Sequence, residues 1–300
     1  MPLIETVQLT KRFGERTIVN SVTLTVQQNE IFGFLGKNGA GKSTFINMLT
    51  GIVRPSSGTI RLFDGDGNTA EWKRRIGVLP DYSTFYDSLT ARDHLLYLSR
   101  VKGIRVTKKE CDRILEEVGL AEHAGKRAKA FSFGMKKKLG IAQALLGDPE
   151  LLFLDEPTSG VDVESSLQIQ QLLLRLQKEG RTIFMTSHNL HEIEKICTRI
   201  AIMKAGTIAA AGSLSELQAK HRSWRTVTVR HAALADKPYE LVSFVEGLGK
   251  HLEWREEALS LEVDDKRKVA ALIRAFVHAG VDIYHVCGDE PSLERIFLEE

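Results

Sequence analysis

Cysteine is scarce in this 300-residue sequence, and the three that occur are Cys111, Cys197 and Cys287. They lie far apart, are odd in number, and form no Cys-x-x-Cys or Cys/His spacing. This excludes a disulfide-stapled scaffold and gives no sign of a cysteine-based metal site. Reduced thiols, as in a cytosolic protein, are the simplest interpretation.

Long hydrophobic runs are also missing. No stretch approaches the roughly 20 apolar residues that a bilayer-spanning helix needs. The first residues, Met1 to Thr6, lack the basic-then-apolar order of a signal peptide. We therefore expect a cytoplasmic protein, and if it works at a membrane, another chain supplies the membrane-spanning part.

An excess of charge of either sign is absent. Lys and Arg number 41 against 39 Asp and Glu, so the net charge of +2 gives no reason to expect a nucleic-acid partner. The three lysines at 136–138 are interpreted as a solvated helix face. The chain is 43% apolar and 27% charged, as in ordinary globular proteins. At roughly 150 residues per domain, its length predicts about two domains.

The first two thirds of the chain alternate between strand and helix signals. Apolar alternation over 1–35 predicts strands, and the wholly apolar run 31–35 is typical of a strand buried on both faces. Helical spacing follows at 43–50, and short strands are indicated at 58–63 and 75–79. Further helices are predicted at 91–101, 108–118, 135–146 and 164–178, and strands at 151–154, 182–186 and 200–203. A helical insertion thus interrupts an α/β sheet.

A second unit is predicted after a short helix at 214–220. Its strand signals lie at 226–230, 259–263 and 283–286, and its helix signals at 239–247, 266–279 and 291–299. The order β-α-(β)-β-α-β suggests a small ferredoxin-like domain.

A phosphate-binding motif follows the buried strand 31–35. It fits G-x-x-x-x-G-K-[ST] and reads Gly36-Lys37-Asn38-Gly39-Ala40-Gly41-Lys42-Ser43-Thr44. Its glycines let successive N–H groups point at phosphate oxygens, and the helix that follows directs its positive dipole end at the same anion. Lys42 is expected to reach the β- and γ-phosphates, and the Ser43 hydroxyl to ligate Mg²⁺. The chain is therefore predicted to bind a nucleoside triphosphate.

An acid pair follows a second buried strand. Leu151 to Leu154 are apolar, and Asp155 and Glu156 come directly after them. A carboxylate at the end of such a strand is how P-loop proteins place a second Mg²⁺ ligand, which is the role predicted for Asp155. Glu156 is predicted to act as the general base that polarises the attacking water.

With these motifs in place, the chain resembles the nucleotide-binding subunit of ABC transporters. Phe131-Ser132-Phe133-Gly134-Met135 stands about twenty residues before Asp155, where the family has its LSGGQ-type signature. Ser159-Gly160-Val161-Asp162 matches the D-loop, His188 matches the switch histidine, and Phe13 fits the aromatic residue that stacks on adenine. The resemblance covers residues 1 to about 215.

The resemblance implies that two such subunits bind head to tail, with each ATP between the P-loop of one and the signature of the other. Ser132, the Gly134 amide and Asp162 would then contact the nucleotide held by the partner, and His188 would join Lys42 and Glu156 in catalysis. The implied cofactors are ATP and Mg²⁺. The implied partners are a membrane-spanning subunit and a second ATPase subunit, expected to be another copy of this chain.

Two positions depart from the family pattern. Asp81 stands where the family usually has Gln, and we expect it to ligate Mg²⁺ directly or through water. Phe133 replaces the first glycine of the signature pair, so its side chain either crowds the partner's nucleotide or projects away from it. We expect weakened rather than absent activity.

The fold implied is α/β: a P-loop NTPase (RecA-like) core with an antiparallel β subdomain and a helical subdomain, and a small α+β C-terminal domain of ferredoxin-like order. The predicted domains are 1–215, with the helical subdomain at about 86–148, a linker at 216–223, and 224–300.

The chain's last segment indicates the transporter branch. Residues 291–299, Pro-Ser-Leu-Glu-Arg-Ile-Phe-Leu-Glu, resemble the close of ATPase subunits of bacterial drug and multidrug exporters of the ABC-2 type. The expected location is the cytoplasmic face of the cell membrane, as a peripheral subunit. An importer ATPase with a regulatory C-terminal domain and a soluble, non-transport ABC ATPase stay open as alternatives. A P-loop kinase of small molecules is disfavoured, because it has no need of 131–135 or 159–162.

Overall fold

The computed structural model describes residues 2–63, 65–66, 70–81, 84–220, 225–234 and 238–289. They divide into two compact units, Met1–Ser213 and Leu214–Glu300. Each unit has its own cluster of buried apolar side chains. The predicted helix at 291–299 lies outside the described residues.

The first unit alternates strands and helices along the chain. Its strands are β1 (Pro2–Phe13), β2 (Arg16–Gln27), β3 (Ile31–Leu35), β4 (Ser57–Leu62), β5 (Gly65–Asp66), β6 (Ile76–Leu79), β7 (Leu151–Leu154), β8 (Thr182–Ser187), β9 (Arg199–Lys204) and β10 (Thr207–Ser213). Its helices are α1 (Lys42–Leu49), α2 (Ala70–Arg74), α3 (Ala91–Val101), α4 (Lys108–Glu117), α5 (Phe133–Ala144), α6 (Val163–Lys178) and α7 (Leu190–Ile196).

The central sheet of this unit has the strand order β10-β9-β3-β8-β7-β6. All neighbours pair in parallel except β10, which runs antiparallel to β9 at one edge. Every residue of β3, β7 and β8 is buried, as expected for strands covered on both faces. The carboxyl ends of β3, β8, β7 and β6 therefore meet at one edge, where open α/β sheets bind their ligands.

Aromatic packing fixes the strand that leads to this edge. Phe34 of β3 stacks on Phe45 of α1 with ring centroids 4.9 Å apart, and Phe184 of β8 lies 5.4 Å from Phe34. All three rings are fully buried. Burial of one such side chain stabilises the fold by roughly 1.5–3 kcal/mol, so β3 and α1 form a rigid pair on either side of the loop between them.

The second sheet of this unit is antiparallel, with the order β2-β1-β4-β5. Side chains of β1 and β2 share a buried core with those of β3 and α1. The helices α3, α4 and α5 lie between β6 and β7 in sequence and pack on one another. The P-loop core, antiparallel β sheet and helical part expected from the sequence are confirmed.

The unit Leu214–Glu300 contains α8 (Leu214–Lys220), β11 (Arg225–His231), α9 (Tyr239–Glu246), β12 (Lys250–Trp254), β13 (Ala258–Val263), α10 (Lys266–His278) and β14 (Ile283–Asp289). Its sheet order is β12-β13-β11-β14, with all pairs antiparallel. The helices α9 and α10 pack on each other, and their buried side chains share a core with those of the sheet. The predicted ferredoxin-like order is confirmed in these residues.

Several short elements and one lysine differ from the expectations. The strand β5, the helices α2 and α7, and the edge strand β10 were not predicted, and β12 was expected only as an unplaced strand. Lys137 does not belong to a solvated face, because its side chain is buried on the inner side of α5. The interpretation of 136–138 as a solvated face is therefore wrong for Lys137.

Candidate nucleotide-binding site

The P-loop curls back on itself between β3 and α1. Lys42 is buried, and its Nζ donates hydrogen bonds to the carbonyl oxygens of Gly36 (2.7 Å) and Lys37 (3.4 Å). Gly41 has φ of +109°, and a Cβ there would lie 2.7 Å from the Ile18 carbonyl oxygen, so the position requires glycine. Residues 37–39 at the loop's tip and Ser43 in the first turn of α1 are exposed. Their N–H groups and hydroxyl are thus accessible to an anion.

One hydroxyl holds both acids of the predicted pair. Thr186 Oγ1, from β8, donates to Asp155 Oδ1 (2.5 Å) and accepts from the Glu156 N–H (2.9 Å). The Asp155 N–H donates to the Leu79 carbonyl at the end of β6 (2.8 Å). Asp155 is 5% exposed, so its carboxylate has a defined position at the sheet edge. The motif located the acids, and Thr186 was not anticipated.

Glu156 and His188 form a hydrogen-bonded pair. His188 Nδ1 lies 2.8 Å from Glu156 Oε2, with the imidazole side chain 59% exposed and the carboxylate side chain 11% exposed. The backbone of Glu156 is left-handed, with φ of +51°. A non-glycine residue rarely adopts this conformation, and such residues concentrate at functional sites. The structure thus joins two residues that the sequence placed 32 positions apart.

Lys137 secures the backbone of this pair from behind. Its Nζ donates to the Glu156 carbonyl oxygen (2.7 Å) and lies 3.4 Å from the Asp81 carbonyl oxygen. Burial lowers the pKa of Lys137, while the negative charges of Asp81, Glu156 and Asp155 act in the opposite direction. Sequence reasoning missed this role. The available signal was helical spacing, because Gly134 and Ile141, on the same face of α5, are also buried.

The predicted signature begins α5. Ser132 is exposed and is its N-cap, where Oγ accepts from the Met135 N–H (3.2 Å). Phe133 is 55% exposed, and a Cβ on Gly160 would lie 3.0 Å from its ring, so the ring rests on the D-loop. Gly134 is buried where α5 meets α6, since a Cβ there would lie 2.7 Å from Ser165 Cβ. The Cα of Gly134 is therefore packed against α6.

Asp162 caps the adjacent helix α6. Its Oδ1 accepts from the Ser165 N–H (2.8 Å) and its Oδ2 from the Ser165 hydroxyl (2.8 Å). These hydrogen bonds lower the pKa of Asp162. The D-loop consequently ends at a fixed point beside the signature.

Phe13 lies at the turn between β1 and β2. It is 51% exposed, and Lys11 Nζ is 4.7 Å from its ring centroid. Phe13 pairs with Arg16, and Ile18, two residues further along β2, has its carbonyl against Gly41. The hairpin that presents Phe13 therefore touches the P-loop.

A cavity of about 340 Å³ connects these parts. Among the residues that line it are Asn38, Asp81, Phe133, Glu156 and His188. The structure thus gathers the P-loop tip, the end of β6, the signature and the acid–histidine pair around one space. The other predicted site residues do not line this cavity, among them Lys42, Ser43, Asp155, Ser132, Gly134, Asp162 and Phe13.

Comparison with known proteins agrees with this geometry. The family described as ABC transporter matches residues 19–159. The chain is 36% identical to a bacitracin transport ATP-binding protein of Bacillus licheniformis over 99% of this chain and 96% of the relative. It is 34% identical to the Nod factor export ATP-binding protein I of a Rhizobium species, over 96% and 93%.

Solved structures show the same fold. The ATP-binding subunit of an ABC transporter matches with a TM-score of 0.65 and 27% identity, over 73% of this chain and 93% of that one. Within the residues that the structure describes, no helix is long and apolar enough to cross a membrane. The chain belongs to the ABC transporter family, as one of its ATP-binding, ATP-hydrolysing proteins.

Proposed function

We propose that this chain is the ATPase subunit of a bacterial exporter, bound peripherally at the cytoplasmic face of the membrane to a separate membrane-spanning subunit. The observation that carries the ATPase part of this proposal is the arrangement at the sheet edge. The P-loop after β3, the acid pair after β7, His188 after β8 and Asp81 after β6 lie on adjacent parallel strands. Nucleotide binding and hydrolysis need these groups together.

In this proposal the P-loop holds the triphosphate. The amides of residues 36–44 and the N-terminus of α1 bind phosphate oxygens, and Lys42 exchanges its carbonyl partners for the β- and γ-phosphates. Phe13 stacks on the adenine. Glu156 takes the proton of the attacking water as general base, and His188 orients the Glu156 carboxylate through their 2.8 Å hydrogen bond.

The residues present fit a Mg²⁺ ion bound together with nucleotide. Ser43, Asp155 and Asp81 offer oxygen ligands, which Mg²⁺ prefers, and it usually combines one or two carboxylates with substrate phosphates and water. Among the described residues no group of three or more His, Cys, Asp or Glu is placed to hold a metal by itself. The ion would neutralise charge on the phosphates. We therefore assign Ser43, Asp155 and Asp81 as its ligands.

We further propose a head-to-tail homodimer. Ser132 and Asp162 are exposed, and the ring of Phe133 lies against Gly160 of its own D-loop. This placement supports a signature surface that a partner's nucleotide can approach, with Ser132, Gly134 and Asp162 as its contacts. Because these contacts need the γ-phosphate, ATP favours the closed pair and hydrolysis releases it.

Export is the direction that the relatives support. The Rhizobium protein is named for Nod factor export, and a relative in Bacillus subtilis, 31% identical over 99% of this chain, is a linearmycin resistance ATP-binding protein. An importer with a regulatory C-terminal domain remains the second candidate for the same fold. Co-purification with a polytopic membrane protein and the direction of its transport in vesicles distinguish the two.

The Glu156→Gln variant tests the proposed chemistry. It should keep its affinity for ATP, while turnover falls roughly 10²–10⁴-fold because the base is lost. The stalled variant should also accumulate as an ATP-dependent dimer in size-exclusion chromatography. Glu122→Gln makes the same change at an exposed position and should behave as wild type. Unchanged turnover in Glu156→Gln removes Glu156 from the mechanism.

A further inference from the structure

A buried carboxylate outside the sequence motifs gathers three hydroxyl groups. Glu192 is 7% exposed. Its Oε2 accepts from Thr158 Oγ1 (2.5 Å) and Ser187 Oγ (3.3 Å), and its Oε1 accepts from Ser166 Oγ (2.9 Å). Burying a carboxylate is costly unless it is hydrogen-bonded, so these contacts fix the three donors around one point.

The local backbone holds Glu192 in place. It lies in the first turn of α7, where the N-cap Asn189 accepts from the N–H groups of His191 and Glu192. The Asn189 N–H in turn donates to Ser187 Oγ (2.9 Å). The residues before and after His188 are thus both hydrogen-bonded, and Ser187 Oγ contacts both the Asn189 N–H and Glu192.

The three hydroxyl groups that donate to Glu192 belong to two segments, the D-loop with its flanks and the loop that carries His188. Thr158 directly precedes the D-loop 159–162, and Ser166 lies in the first turn of α6, just beyond its N-cap Asp162. Ser187 directly precedes His188. One carboxylate therefore ties both flanks of the D-loop to the residue before the histidine that contacts Glu156.

Space adjoins this cluster. A cavity of about 340 Å³ is lined by Glu192 and its three hydroxyl donors, by His188 and by residues 159–161 of the D-loop. Thr158, next to the D-loop, and Ser187, next to His188, share Glu192 Oε2 as their acceptor, so one atom joins the two segments.

We infer that Glu192 is a positioning residue that couples the D-loop to His188, so that engagement of the D-loop by a second subunit sets the orientation of His188 toward Glu156. This inference deepens the proposed function and rests on its role for His188. Glu192 has no contact with nucleotide in this scheme and acts through Ser187 and the His188 loop.

The test uses the full-length chain in four forms: wild type, Glu192→Gln, His188→Ala and the double variant. Glu192→Gln should lower kcat about ten- to a hundredfold through misplacement of His188, while the Kd for a fluorescent ATP analogue changes less than about twofold. In the His188→Ala background the same change should have no further effect on kcat, because the group through which it acts is gone.

Glu30→Gln is the matched control. Glu30 is also a buried carboxylate, held by the Gln27 N–H and Arg199 at the opposite, amino end of β3. It should leave kcat unchanged in both backgrounds. Ser187→Ala, which deletes the hydroxyl next to His188, is the second variant if Glu192→Gln does not fold, and it should lower kcat several-fold without adding to His188→Ala.

The imidazole NMR signals of His188, assigned by their loss in His188→Ala, give a readout independent of turnover. They should move in Glu192→Gln and stay in place in Glu30→Gln. Unmoved signals, or a loss of kcat of the same factor in both backgrounds, overturn the positioning role. A wild-type chain that hydrolyses no ATP contradicts the proposed function instead, and the NMR comparison still decides the role of Glu192.

Discussion

Lys137 places a positive charge directly behind the acid pair. Its ammonium is buried and donates to the Glu156 carbonyl, which keeps the left-handed turn at Glu156 in place. The neighbouring carboxylates favour the charged form, but burial disfavours it more strongly and lowers the pKa. A buried lysine with a lowered pKa makes stability depend on pH.

The direction of that dependence can be predicted. As pH rises toward the ordinary lysine pKa of 10.5, the folded chain loses this proton before the unfolded chain does. The unfolded state then binds more protons, so a rise in pH stabilises the fold. The unfolding free energy of wild type minus that of Lys137→Met should therefore increase in urea titrations as the pH is raised toward 10.5. A difference that falls contradicts the assigned burial.

The exposed ring of Phe13 is the proposed contact for adenine. Phe13→Ala should weaken ATP binding by about 1 kcal/mol, a stacking energy, with little effect on turnover at saturating nucleotide. Titration with a fluorescent ATP analogue measures this. Ile52→Ala, which removes another exposed apolar side chain, should bind as wild type. If Phe13→Ala keeps full affinity, adenine binds elsewhere.

Motif spacing placed the proposed site residues Asp155 and Glu156 directly after a buried strand and Lys42 at the start of the helix after another, and the structure has them there. It did not locate Thr186 or Glu192. Their hydrogen bonds join residues about thirty positions apart, so they depend on which strands become neighbours. Sequence patterns along the chain do not contain that information.

At the level of helices, Gly134 is the point where α5 meets α6. Gly134→Ala would place a Cβ 2.7 Å from Ser165 Cβ, so the helices must separate. We expect a loss of roughly 1–3 kcal/mol in unfolding free energy, as for other overpacked sites. Gly125→Ala is the matched control, since a Cβ there meets nothing within 4 Å. Equal stability of both variants in urea would show that the contact yields without strain.

Strands with continuous apolar runs were predictable. Leu151–Leu154 was placed with its observed bounds, because full burial demands such a run. The sequence pattern does not predict the edge strand β10. Its three alanines at 209–211 have low strand propensity, and its formation depends on pairing with β9. The helix α7 is only seven residues long, too short for a clear helical period.

For the whole molecule, we propose that residues after the first unit regulate or stabilise the paired ATPases and take no part in the chemistry. All assigned site residues lie within Met1–Ser213. A fragment without the C-terminal unit tests this proposal. Ending it at Ala211 would cut β10, whose pairing with β9 continues to Ser213 and Arg199. The fragment should therefore end at Ser213.

This fragment, 1–213, should bind Mg-ATP with an affinity within about twofold of the full chain, because every proposed nucleotide contact is retained. Its dimerisation is expected to change. Circular dichroism and size exclusion establish that the material is folded and monodisperse before titration. A folded fragment that no longer binds nucleotide would show that the C-terminal unit contributes to the site.

The left-handed backbone at Glu156 puts a strained conformation at the residue proposed as the general base. Glycine adopts φ of +51° freely and asparagine does so more readily than most residues, whereas glutamate is strained there by about 1 kcal/mol or more. Selection for heat resistance alone would therefore favour glycine or asparagine at position 156 and discard the proposed base. A library of variants selected for thermal stability should therefore keep Glu156 unchanged. Otherwise the variants with the highest unfolding temperature would be those that lack the proposed base.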